Sequence, residues 1–116
     1  MTFLFHIVLI ANALFFLFYG IQCFTSPFML DEFRRFGLPD SQRILTGVLQ
    51  LLGSAGLFAG LIMPALGFLS SAGLALMMLI AFGVRIRIKD GIVQSAPSLA
   101  FMIINGYLAL GFTRLL

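Results

Sequence analysis

The chain has 116 residues, of which 61% are apolar and 9% charged, and its mean hydropathy is +1.13. A domain of this size buries only part of its surface, so a soluble fold could not keep that much apolar area from water, and the expected medium is lipid. The formal net charge of +3 suits anionic headgroups, and without a soluble basic face it does not point to nucleic acid.

In chain order, residues 3–24 form the first apolar run, matching the roughly 20 helical residues that cross a bilayer core. It has no basic n-region and no A-x-A site after it, so it reads as a membrane span and not as a signal peptide. Cys23 is the one cysteine, which excludes an intramolecular disulfide and suits a small packing residue. His6 lies a turn inside this span and reads as an interfacial hydrogen-bonder.

The connection TSPFMLDEFRRFGLPD follows. Ser26-Pro27 is a helix start, with an N-cap serine and proline at N1. Asp31 and Glu32 precede Arg34 and Arg35, in accord with the helix dipole, and Gly37 is a natural stop. Met29, Phe33 and Phe36 share one face, which predicts a short helix lying on the membrane surface. Asp40 or Ser41 can then cap the next helix.

Residues 43–84 are about two spans long and are interrupted at Met63-Pro64, which predicts helices at 43–62 and 65–84. The stretch VRIRIKDG then alternates basic and apolar residues. It reads either as an extended edge or as the end of the third span with snorkelling arginines. Arg85, Arg87 and Lys89 are its candidates for lipid headgroups. Residues 92–113 give a fourth span, which Pro97 either kinks or forces to begin near Ser95. The expected fold is all-α: a single domain over 1–116, a membrane-embedded four-helix bundle with a short interfacial helix between helices one and two. Loops 25–42 and 85–95 carry most of the Lys and Arg. They are therefore expected in the cytoplasm, with both termini outside.

Each span has one polar or small-residue stripe. These are Asn12, Tyr19 and Cys23 on the first; Gly47, Gln50 and Ser54 on the second; Gly67, Ser70, Ser71, Ala81 and Arg85 on the third; and Gln94, Ser98, Asn105 and Ala109 on the fourth. A buried amide without partners is costly in hydrocarbon, so the stripes are expected to face one another. Asn12, Gln50 and Asn105 then act either as interhelical glue or, with Tyr19 and Ser54, as the wall of a small ligand pocket. No carboxylate or lysine lies within a span, which disfavours a proton or ion path. Gly53, Gly56 and Gly60 form a separate close-packing face that seats either another helix of the chain or a second subunit. No His/Cys cluster has metal-ligand spacing, and no nucleophile–base pair or phosphate loop is present.

The segments YGIQCFTSP (19–27), FGLP (36–39), RILTGVLQLLGSAGL (43–57) and GVRIRIKD (83–90) resemble the DoxX-like family of small four-helix bacterial membrane proteins. The resemblance implies a four-helix bundle in the cytoplasmic membrane. It also implies the family's links to quinone-dependent thiosulfate oxidation, to resistance to quinones and thiol stress, and to membrane complexes. Distant eukaryotic relatives serve as cargo receptors or receptor-assembly factors. Many members carry glutamate where this chain has Gln50, and lysine near Gln22 and Cys23. A neutral pair there can hydrogen-bond a ligand but cannot exchange protons with it. The resulting expectation is a non-enzymatic membrane protein that holds a lipophilic molecule, a quinone or a lipid, among Asn12, Tyr19, Gln50, Ser54 and Asn105, as a subunit in stress-related redox chemistry. The alternative is an interaction or assembly factor, homo-oligomeric through Gly56 and Gly60 or bound in a membrane complex.

Overall fold

The computed structural model describes residues 3–115. These residues form five helices and no strand: α1 (Phe3–Thr25), α2 (Pro27–Arg35), α3 (Asp40–Ala59), α4 (Pro64–Arg87) and α5 (Ile92–Thr113). Three of them, α1, α4 and α5, are long and apolar enough to cross a membrane. α3 is 20 residues long but more polar, because its first turn holds Asp40, Gln42 and Arg43 and its middle holds Gln50 and Ser54.

Local chemistry sets the boundaries. The span expected at 43–62 begins earlier, at Asp40, because the Pro39 carbonyl accepts the amides of Gln42 and Arg43 at 3.0 and 3.3 Å. Pro39 is therefore the N-cap, in place of the expected Asp40 or Ser41. α4 opens on Pro64, where a missing N–H costs nothing. α5 begins at Ile92 and carries Pro97 inside it, so the alternative start near Ser95 does not occur. Ser26 has the extended backbone of an N-cap, but its hydroxyl makes no capping bond.

The alternating VRIRIKD stretch is the helical end of α4, not an extended edge. Helical bonding wins there because the turn that follows satisfies the last carbonyls. Lys89 N–H donates to Ile86 O and Asp90 N–H to Arg85 O, each at 2.9 Å, in a Schellman motif. The same motif closes α2, with Gly37 N–H on Arg34 O and Leu38 N–H on Phe33 O, both at 3.0 Å. Its left-handed residue is Gly37, at φ +77°, whereas after α4 that position is filled by Lys89, at φ +63°. A lysine there bears a steric penalty that glycine does not. Lys89→Gly should therefore raise the unfolding free energy by about 0.5–1 kcal/mol, measurable by SDS titration in mixed micelles. An unchanged midpoint would show that the turn is held by its neighbours alone.

α1 packs on α3 and α5, and α4 packs on the same two helices, so the four long helices close on one another. Glycines permit the close crossings. A Cβ on Gly20 would lie 3.2 Å from the Gly47 carbonyl, and a Cβ on Gly60 would lie 2.6 Å from the Gly67 Cα. The core fills the half of the molecule nearer the chain termini, where Phe5, Leu9, Ala13, Leu57, Leu74, Leu108 and Phe112 are all at most 3% exposed. The outside is also apolar: Leu52, Leu69, Ile80 and Leu110 are each at least 60% exposed. A protein in water does not sustain such a surface, while one in lipid requires it.

Candidate functional site

The half of the molecule nearer the two charged loops is not filled. A cavity of about 380 Å³ lies between the long helices there, with α2 across its mouth. Its wall is mostly aromatic rings and methionines, including Phe15, Phe16, Phe101, Met77 and Met78. Phe15 stacks on Phe101 at 3.8 Å and on Tyr19 at 4.3 Å, which joins α1 to α5 by a three-ring pile. Such ring pairs contribute roughly 0.5–1.5 kcal/mol each beyond area burial. The roof is α2, whose Met29 and Phe33 face the cavity together with Phe36, the residue that caps the helix, and Phe33 is buried. The apolar face expected of this helix is thus turned onto the cavity.

The polar groups of the wall come from different helices. α3 presents Gln42, Thr46 and Gln50 at i, i+4 and i+8, a straight line of side chains about 6 Å apart from the mouth inward. α5 adds Ser98 and α1 adds Tyr19. The Thr46 hydroxyl donates to the Gln42 carbonyl at 2.8 Å. Gln50 is 6% exposed, and its Oε1 accepts the Cys23 thiol at 3.6 Å. That leaves the Gln50 amide NH2 with no partner among the described residues, as a donor available to an occupant.

Of the five residues expected to form a pocket, Tyr19 and Gln50 line this cavity and the other three do not. Asn12 and Asn105 turn inward, as amides in hydrocarbon must, but satisfy each other. Asn12 Nδ2 donates to Asn105 Oδ1 at 2.8 Å, and Asn105 Nδ2 reaches both Asn12 Oδ1 at 3.3 Å and the Phe101 carbonyl at 2.8 Å. The Ser54 hydroxyl donates to the Ala13 carbonyl at 2.6 Å and ties α3 to α1. Gln94, on the expected stripe of the last helix, is exposed. Gly53, Gly56 and Gly60 all face α4, against Leu74, Ser70 and Gly67, so a subunit docking through Gly56 and Gly60 would have to displace α4. Gln42, Thr46 and Ser98 were missed as wall residues. Their i, i+4, i+8 and cross-helix placement was readable as a stripe, but not its convergence with α2.

Charge gathers at the mouth. Arg35 of α2 pairs with Glu32 at 2.8 Å and with Asp90 at 2.5 Å, and Arg85 pairs with Asp90 at 2.9 Å and with Glu32 at 3.4 Å. Both guanidinium groups lie over the Phe36 ring, at 5.3 and 5.0 Å. Arg87 donates to the Phe36 carbonyl at 3.2 Å. Of the three residues expected at lipid headgroups, Arg85 is thus engaged by carboxylates and Arg87 by α2, while Lys89 is exposed. Arg43 bonds the Cys23 carbonyl, a cation at the C-terminal end of α1, and pairs with Asp40 at 3.7 Å.

Hydrogen bonds from Arg35 above all, then from Arg85, hold the Asp90 carboxyl below its ordinary value of 3.8, and the bonds that Arg35 makes to Asp90 and then Glu32 push its own pKa up. A depressed carboxylate contributes stability above its unfolded-state pKa and loses it as pH falls through the folded-state value. The Asp90 contacts should therefore hold α2 equally well from pH 5 to pH 8 and be lost only in acid below 3.8. Hydrogen exchange of α2 amides, corrected for intrinsic rates, would test this, and a rise in exchange already between pH 7 and pH 5 would contradict it.

An all-helical chain with an apolar exterior and an internal lipophilic cavity is a membrane protein. Residues 7–108 match the model of the DoxX-like family, and the chain belongs to that family. No curated protein and no solved structure matches it significantly.

Proposed function

We propose that all four long helices span the bacterial cytoplasmic membrane as a bundle, with loops 25–42 and 85–95 on the cytoplasmic side and both termini outside. In this reading α3 is tolerated in lipid because α1 and α4 cover much of its polar face. The protein holds an uncharged lipophilic molecule, a quinone or a neutral lipid, in the cavity beneath α2, and it serves as a non-catalytic subunit in redox or thiol and quinone stress chemistry. One observation carries this: a ring-lined cavity of about 380 Å³, within the usual range for small-ligand sites, into which Gln50, Thr46, Ser98 and Tyr19 converge from three helices.

The chemistry of the wall selects the ligand class. Flat rings and soft methionines accept a planar or branched apolar body. The deep polar groups are all neutral, and the charged lining residues Glu32 and Arg85 are already paired with each other and with Arg35 and Asp90, so a charged head would enter without a free counter-ion. Gln50 can donate to a carbonyl or ether oxygen but cannot take or give a proton, which favours holding a molecule over proton transfer at this position.

Mass spectrometry of organic extracts of the purified protein in nanodiscs tests the reading. A lipophile should be retained near one equivalent by the natural chain, and Gln50→Leu should lower retention by about tenfold, the effect of losing one buried hydrogen bond to the ligand. Wild-type protein that carries only the bulk lipid mixture, unchanged by the substitution, would refute it.

A further inference from the structure

We propose that α2 is a hinged door to this cavity, latched by the Glu32–Arg35–Arg85–Asp90 cluster, and that it admits ligand from the headgroup layer on the side of the charged loops. The inference rests on the ligand-binding reading for its purpose, but its geometry is independent of it. α2 is joined to the long helices at its two ends, through Ser26 and through the left-handed Gly37 (φ +77°), where even an added Cβ would meet nothing within 4 Å, so no side-chain packing restrains that joint. Its backbone approaches only α1 and α3, and it reaches α4 and the α4–α5 turn through side chains.

Those side-chain contacts are of two kinds. Phe33 plugs the cavity and is the one buried residue of α2. The ionic cluster ties the outer surface of α2 to Arg85 and to Asp90 across 55 residues of sequence. Asp90 is the pivot, because it binds an arginine from each side, and the left-handed turn at Lys89 sets it there. The cluster is a linked network whose only well-exposed member is Arg35, so it can hold α2 closed yet be loosened by the loss of a single partner or by salt. A multipoint ionic latch over an apolar plug is what a door needs: closed most of the time, open without unfolding the core.

A thiol-accessibility measurement that needs no ligand tests the proposal. In a Cys23→Ser background, Thr46→Cys places a single thiol on the cavity wall, and a membrane-impermeant methanethiosulfonate reagent reports its exposure in nanodiscs. Asp90→Asn and, separately, Arg35→Ala should each speed labelling by roughly fivefold, the opening expected when part of a screened ionic cluster is lost. High salt should speed labelling of the parent protein in the same direction. Hydrogen exchange should rise across residues 27–36 and stay unchanged across residues 64–80. Labelling that is equally fast in the parent and in both variants, or slow in all of them at every salt concentration, would overturn the door. A lack of co-purified lipophile alongside latch-dependent labelling would sink the ligand reading and leave the door standing.

Discussion

Gly60→Ala should destabilise the protein by about 2–3 kcal/mol, near the upper end of what overpacking commonly costs. Its Cβ would stand 2.6 Å from the Gly67 Cα and 2.9 Å from Cζ of Phe112. The first is backbone and cannot rotate away. The second belongs to a ring that is 1% exposed and wedged between Gly67 and Phe5, which it meets edge-on at 5.2 Å. α3 and α4 must therefore separate, and the shift loosens the Ser70–Gly56 and Leu74–Gly53 contacts along the same seam. Gly73→Ala on the outer face of α4 is the matched control. Nothing lies within 4 Å of that position, so the change should be neutral or stabilise by up to about 1 kcal/mol through helix propensity. Reversible SDS unfolding of the two variants decides the matter. Equal midpoints would mean that the α3–α4 crossing is looser than the coordinates place it.

The second large effect is at the asparagine pair. Asn105→Leu should cost about 1–2 kcal/mol, because it leaves Asn12 without its partner at a buried site and frees the Phe101 carbonyl. Asn12→Leu should cost somewhat less, since Asn105 keeps its bond to Phe101. The double variant should cost clearly less than the sum, as the second substitution removes the amide that the first stranded. Additive losses would mean that the two amides find water or other partners once separated. Because neither side chain lines the cavity, ligand retention should follow Gln50 and not this pair.

Much of the fold was legible because lipid imposes simple rules. Apolar length marked residues 3–24 and 92–113, Pro64 divided the long run, and Gly37 ended the surface helix, each for a local reason that needs no tertiary contact. The polar stripes were legible as stripes. Their depth was not: Asn12 and Asn105 meet each other in the filled half, while Gln50, with no amide opposite it, meets Cys23 and an open space. Helix rotation and crossing decide such meetings, and in this chain they depend on where glycine allows backbones to touch. The mouth was least legible. Glu32 and Arg35 are three residues apart and could be paired on sight, but Asp90 joins them only because Lys89 adopts a left-handed turn.

The filled half of the molecule has a consequence for traffic. Below the cavity the Asn12 and Asn105 amides are taken up by each other, Ser54 and Ser71 by backbone carbonyls, and the rings of Phe5 and Phe112 pack edge-on. If α2 is the door proposed above, a guest that slips under it arrives in a cul-de-sac and leaves by the way it came. On the reading proposed above, the chain would store or hand over a molecule within one leaflet, not ferry it to the other.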